Sequence, residues 1–225
     1  MIEHVHVEKH RREVSRQQRR SSATHQKLLD AAHEVFAAKG FGATRIDDIT
    51  ERADVGKGTF YYHFGSKERV IQEVMASVLG ELVALLEVRC AGISDLRDLL
   101  DTLIGAHIEF FCNRWADFVL HFQGRTDLTL ENSYEGMEAP FVDYLECVEG
   151  LLASVLKERV SAAVLRRIAC AVAGFTSGYY SFAAITSEEE DVDATFRGLR
   201  GAIVAGLARF VQEALPSSRG QAPGA

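Results

Sequence analysis

Apolar positions recur at three- and four-residue spacing along most of this chain, which is the period of a helix face. Leu28, Ala32, Val35 and Phe36 form the first stripe and predict a helix over 24–39, with Thr24 as its cap. Gly40 then ends it, as a residue in left-handed backbone angles does. Thr44 with Asp47 three positions on approximates a capping box for a second helix carrying Ile46, Ile49 and Ala53. Residues 56–62 predict a third helix, and Phe60 and Phe64 share one face at i, i+4. Ser66 can cap a fourth helix running to about Arg89 on the stripe Val70, Val74, Val78, Leu82 and Leu85/Leu86. Roughly 23 residues at 1.5 Å each give it a length of ~35 Å.

The same period continues beyond. A helix over 94–122 is expected from Leu96, Leu99, Leu103, Phe110, Phe118 and their neighbours, and another over 140–158 from Phe141, Tyr144, Val148, Leu152 and Val155. Between them, 123–139 is polar and reads as a long loop or broken helix. Residues 162–184 and 192–214 form a last helical pair. Glycine inside a helix costs about 1 kcal/mol relative to alanine. The small residues Gly174 and Gly178, and Gly198, Ala202 and Gly206, therefore ask for a reason, and close helix–helix approach is the natural one. That approach is either an intramolecular core or an interface with a second copy, with Phe175 on the same face. Glu188 to Asp191 read as a solvated loop at the start of the last helix, where the dipole favours acids.

Composition agrees with an all-helical protein: 225 residues hold three prolines, none before Pro140. No apolar run approaches ~18 residues, so no membrane span is expected, and the charged N-terminus has no secretory core. Cys90, Cys112, Cys147 and Cys170 are widely spaced with no C-x-x-C, so zinc, metal and redox chemistry gain little support and a reduced cytoplasm is the default setting. No cofactor is expected. The net charge of −7 is unevenly spread. Residues 1–69 hold 13 Lys and Arg against 10 Asp and Glu, and the remainder holds 12 against 22. A basic head before an acidic body suits a nucleic-acid binder. Residues 1–22 read as a disordered basic tail, or as an arm that tracks phosphates or the minor groove through Arg11, Arg12, Arg16, Arg19 and Arg20. His4, His6 and His10 on that tail are weak evidence for metal. The expected organisation is an arm over 1–22, a DNA-binding domain over 23–69, a helical effector and dimerisation domain over 70–214, and a disordered tail over 215–225.

Residues 54–64 carry the chemistry. They read Asp-Val-Gly-Lys-Gly-Thr-Phe-Tyr-Tyr-His-Phe. A helix, a tight turn and a second helix that starts with polar and aromatic groups is the layout of a helix-turn-helix. Core packing explains Phe60 and Phe64 but not Lys57, Thr59, Tyr61 and Tyr62. Over 24–70, Ala32, Phe36, Gly40, Phe41, Thr44, Ile46, Ile49, Ala53, Val55, Lys57 through Phe64, Ser66, Lys67 and Glu68 resemble the DNA-binding domain of the TetR/AcrR family of transcriptional regulators. Two residues depart from that pattern. Asp54 stands for the usual turn glycine, which aspartate can replace in left-handed angles. Gly56 stands for the usual Ser or Thr, so the third helix lacks a side-chain cap.

The resemblance implies a dimeric DNA-binding regulator, most naturally a repressor on palindromic double-stranded DNA, cytoplasmic and nucleoid-associated, and released by a small molecule. Lys57, Gly58, Thr59 and Tyr61 would meet base edges. Thr44, Arg45, Tyr62, His63 and Lys67 would meet phosphates. His107, Phe110, Phe111, Trp115, Phe118, His121 and Phe122 are the candidate pocket for a largely apolar effector, or else plain core. Dimerisation would use the last two helices. A regulator of the same fold without effector, acting on the nucleoid or cell division through a protein partner, is the alternative. An enzyme is not expected, since no nucleophile–base pair, phosphate loop or metal-ligand set stands out.

Overall fold

The computed structural model describes the backbone of 2–112, 114, 116–117, 119–121, 138–156, 160–186 and 189–214, with side chains described from Gln17 onward within those spans, except at 112, 179–186, 189–199 and 214. The described residues are all α-helical apart from turns. The helices are α1 (Ile2–Lys39), α2 (Ile46–Arg52), α3 (Lys57–Phe64), α4 (Lys67–Cys90), α5 (Leu96–Cys112), α6 (Glu138–Leu156), α7 (Ala162–Thr186) and α8 (Glu189–Ala214). Two compact units divide the chain. One comprises Met1–Ala76 with Val119–Met137, and the other Ser77–Phe118 with Glu138–Ala225.

The first unit follows the predicted stripes. Leu28, Ala32 and Phe36 of α1, Ile49 of α2, Phe60 of α3 and Val70 and Ile71 of α4 are fully buried. Phe41 packs edge-on against Phe36, with ring centroids 5.1 Å apart. Gly40 ends α1 at φ 81°, its N–H donating to the Phe36 carbonyl over 2.8 Å. Asp54 takes the left-handed turn expected of it, at φ 49°. Gly56 caps α3 with no side-chain bond, and Gly65 at φ 74° closes it. The Ser66 hydroxyl accepts the Arg69 N–H at 3.2 Å, as a cap of α4 should.

Three local expectations are corrected. α1 begins at Ile2 instead of 24, so the disordered reading of 1–22 gives way to helix; that stretch lacks Pro and Gly and is rich in Glu, Arg and Gln, which favour helix. Thr24 therefore lies inside α1 and bonds back to the Arg20 carbonyl at 3.0 Å instead of capping. The cap of α2 is Arg45, not Thr44, and its N–H donates to the Asp48 carboxylate at 2.9 Å. Thr44 is unavailable because its hydroxyl donates to the Gly40 carbonyl at 2.7 Å.

In the second unit α5 packs against α8, α6 against α7, and α7 against α8. Leu82 and Leu86 of α4, Leu100 and Leu103 of α5, Val148 and Leu152 of α6, and Ile168 and Val172 of α7 are fully buried there. Pro140 is tolerated in the first turn of α6, where its missing N–H would have no partner. The expected helix over 94–122 is interrupted. Arg114 is not helical, and its N–H reaches the Phe111 carbonyl three residues back. Its guanidinium lies 4.5 Å over the Phe110 ring and pairs with Glu81 of α4 and with Asp117. α5 and α8 are clasped by Arg200, which donates to both the carboxylate and the carbonyl of Asp101 at 2.6 to 2.9 Å. Its guanidinium lies over Gly105, where a Cβ would come within 2.6 Å of Cζ. No described helix is long and apolar enough to cross a membrane.

Candidate nucleic-acid interface

α3 divides its residues cleanly. Phe60 and Phe64 turn inward, at 0% and 6% exposed, with ring centroids 5.7 Å apart. Lys57, Gly58, Tyr61 and Tyr62 turn outward, and Thr59 and His63 are half-buried between the two faces. The adjacent tyrosines are 52% and 79% exposed. Large aromatic rings left in water on a short helix mark a contact surface more often than they serve the fold. A Cβ placed on Gly58 meets nothing within 4 Å, so the fold makes no demand for glycine there.

Lys57 opens α3 and pairs across to Asp47 of α2, Nζ to Oδ1 at 2.6 Å. Asp47 raises the lysine pKa, first by that hydrogen bond and then by charge. The sequence reading missed this partner, although Asp47 and Asp48 head α2 side by side. Asp48 is held below the usual carboxylate range, chiefly by Lys39, which it meets at 2.6 Å, and by the Arg45 N–H. His63 lies beside His25 of α1, ring centroids 5.7 Å apart. Burial, and secondarily the charge of His25, lowers its pKa. His25 in turn meets Glu73 of α4 at 3.0 Å and packs 4.5 Å from Phe64. Nothing in the sequence periodicity pointed to His25.

Two expected phosphate contacts are otherwise engaged. The Lys67 ammonium donates to the carbonyls of Phe41 at 2.9 Å and Thr44 at 3.1 Å, tying the start of α4 to the loop between α1 and α2. Thr44 is 2% exposed, with its hydroxyl on Gly40. Both residues hold the loop that ends in Arg45, which is exposed.

The expected effector group is divided. His107, Phe110 and Phe111 lie in the second unit at 1%, 6% and 3% exposed, and His121 belongs to the first. Trp115, Phe118 and Phe122 lie outside the described residues, as does the expected loop over 123–139 apart from Glu138 and Ala139, which open α6. His107 is the polar centre of its surroundings. Its Nδ1 is 2.6 Å from the Leu103 carbonyl, which can only accept, so Nδ1 carries the proton and the Tyr144 hydroxyl donates to Nε2 over 2.7 Å. Burial pushes the His107 pKa down to about 4, against a smaller upward pull from that carbonyl.

The small-residue stripes are turned outward. Gly174, Gly178 and Gly206 each have open space where a Cβ would stand. Gly198 lies on α8, outside the residues whose surroundings are described. Beside them Ala171, Phe175, Ala202, Ile203, Gly206, Leu207 and Phe210 line an apolar groove of about 450 Å³. Phe175 and Phe210 are 52% and 44% exposed.

Comparison with known proteins agrees with this geometry. Residues 28–74 match the family described as bacterial regulatory proteins, tetR family. The chain is 30% identical over 135 residues to the uncharacterized HTH-type transcriptional regulator YvdT of Bacillus subtilis (strain 168), covering 60% of this chain and 68% of that one. It is 34% identical over 82 residues to the HTH-type transcriptional repressor KstR2 of Rhodococcus jostii (strain RHA1), over 36% of this chain and 40% of the relative. Among solved structures it resembles the transcriptional regulator FadR of Bacillus subtilis in complex with stearoyl-CoA, with TM-score 0.65 at 17% identity over 81% of this chain and 96% of that one. The TetR family transcriptional regulator PfmR of Thermus thermophilus superposes with TM-score 0.57 at 24% identity, over 79% and 97%. A helix-turn-helix that leaves two tyrosines and a lysine on its outward face, on an all-helical chain with these relatives, places this protein in the TetR family of bacterial transcriptional regulators.

Proposed function

We propose that this chain is a repressor that binds a palindromic operator as a homodimer and is released by a small, largely apolar effector. Gly58 carries the reading of the DNA face. A glycine in the first turn of a helix, with room for a side chain and no left-handed angle, costs stability without serving the fold. Close approach of the helix backbone to a groove floor explains it. Lys57, Thr59 and Tyr61 then meet base edges, while Arg45, Tyr62 and His63 meet phosphates. Gly58→Ala tests this directly: the variant should fold as well as the parent or slightly better, and bind DNA on the order of tenfold more weakly. Equal affinity would leave Gly58 without a role. Sequencing the duplex fragments that purified protein retains gives the operator, and fragments without a shared palindromic motif would count against the whole reading.

The dimer rests on the open glycines and the apolar groove of α7 and α8. A second copy supplies the side chains that fill that space, and brings two recognition helices onto two half-sites. An effector acting beside His107 and Tyr144 meets a hydrogen-bonded polar pair next to the buried Phe110 and Phe111, so a mostly apolar molecule with a hydrogen-bonding group suits it. Repeating the DNA retention with long-chain acyl compounds tests that class. Operation in the cytoplasm, on the nucleoid, follows from this function.

A further inference from the structure

α1 is far longer than a helix-turn-helix needs, and its extension is charged in a particular register. At 3.6 residues per turn, Lys9, Arg12, Arg16, Arg19, Arg20 and Lys27 fall within roughly 100° of arc along α1. The stripe runs ~27 Å at 1.5 Å per residue. Glu13 is the single acid between Lys9 and Lys27. Like charges four apart, as in Arg12, Arg16 and Arg20, destabilise an isolated helix, so the stripe works against the helix that carries it unless a polyanion lies alongside. Gln17 to Arg20 are exposed, and α1 runs through them without a break into the helix-turn-helix.

The position of the extension says which polyanion. At His25, α1 passes the end of α3, with ring centroids 5.7 Å from His63 and 4.5 Å from Phe64, and His25 pairs with Glu73. Residues before His25 therefore extend from the point where α1 passes His63, at the end of α3 proposed above to meet phosphates. We infer that the N-terminal half of α1 is a second DNA-binding element, a basic helical rod that lies along the phosphate backbone flanking the site read by α3. This rests on the DNA-binding role proposed above and extends it: the footprint is longer than the helix-turn-helix alone, and the added length carries no sequence preference.

The test uses the full chain and a variant with Arg12, Arg16, Arg19 and Arg20 all changed to Gln, which keeps helix propensity while removing four charges. The probes are a duplex limited to the retained motif and the same duplex lengthened by about 12 base pairs on each side. The parent should bind the longer duplex at least tenfold more tightly, and the variant should lose that gain. Each neutralised phosphate contributes about −0.9 to the slope of log K against log salt, so the variant's slope on the long duplex should be shallower by two units or more, with the order of preferred sequences unchanged. Equal gain and equal slope for both proteins would overturn the inference, as would an equal loss on the short duplex by a variant with parental circular dichroism. A parent that prefers no sequence would instead defeat the underlying role of α3, which keeps the two failures distinct.

Discussion

Lys57 and Asp47 form an ion pair across the turn of the helix-turn-helix, Nζ to Oδ1 at 2.6 Å, so the first side chain of the recognition helix is already committed to a carboxylate. To reach a base the lysine must release Asp47, and Asp47 then lies near the DNA as a repulsive charge. Lys57→Ala should relax sequence preference as well as weaken binding, on the order of tenfold at the contacted position. Asp47→Asn should tighten binding to all sequences a fewfold at low salt and less at high salt. Anisotropy titrations on matched and mismatched duplexes check both; weaker binding by the asparagine variant would mean that Asp47 aims the lysine instead of restraining it.

Lys67 separates a brace from a contact. Its ammonium donates to two backbone carbonyls, and hydrogen bonds to charged groups contribute roughly 1.5–3 kcal/mol each way when one partner is lost. Lys67→Met should lower thermal stability of the DNA-binding unit by several degrees and leave the salt slope of binding unchanged. A slope shallower by one unit with unchanged melting would restore Lys67 as a phosphate contact.

His107 sets an acid limit. The unfolded chain takes up this proton near pH 6.5, while the folded chain resists it until about 4. The stability it contributes as a neutral group is complete above pH 6.5 and is lost as pH falls toward 4, at about 1.4 kcal/mol per pH unit. His107→Gln, which keeps a partner for Tyr144, should be less stable at pH 7.5 but lose less between pH 6.5 and 4.5. Denaturant midpoints at both pH values decide it; parallel losses would assign the acid sensitivity to the carboxylates.

The open glycines of α7 predict where bulk is harmful. Because a Cβ at Gly178 meets nothing within 4 Å among the described residues, Gly178→Leu should leave the monomer folded and disrupt its pairing with a second copy. Light scattering should find monomers with parental helical content, and operator affinity should fall steeply because two half-sites can no longer be held together. A stable dimer of this variant would move the interface elsewhere.

Much of this was legible in the sequence because helix faces leave a regular mark. The stripe from Val70 to Leu86 is buried as expected, and Gly40, Asp54 and Ser66 do the local work their chemistry suggests. What periodicity could not give were long-range polar pairings. Lys67 at the head of a helix looks the same whether it faces a phosphate or the carbonyl of Phe41, 26 residues away. Lys57–Asp47 and His25–Glu73 have the same origin, since each joins separate helices. The break at Arg114 was hidden because apolar spacing runs on through it, while a guanidinium stacked on Phe110 and two acids hold the turn. The length of α1 was missed because polar composition was weighed above propensity.

The missing methyl at Gly105 fixes how α5 and α8 can travel. Arg200 rests where a side chain would stand, and one turn away in either direction that place is occupied, by Asp101 and by Glu109. Sliding α8 along α5 by a turn would press the guanidinium against a side chain and strip it of Asp101. The clasp at Asp101 and Gly105 therefore favours one register of α8 on α5, and it ties the position of one helix to that of the other.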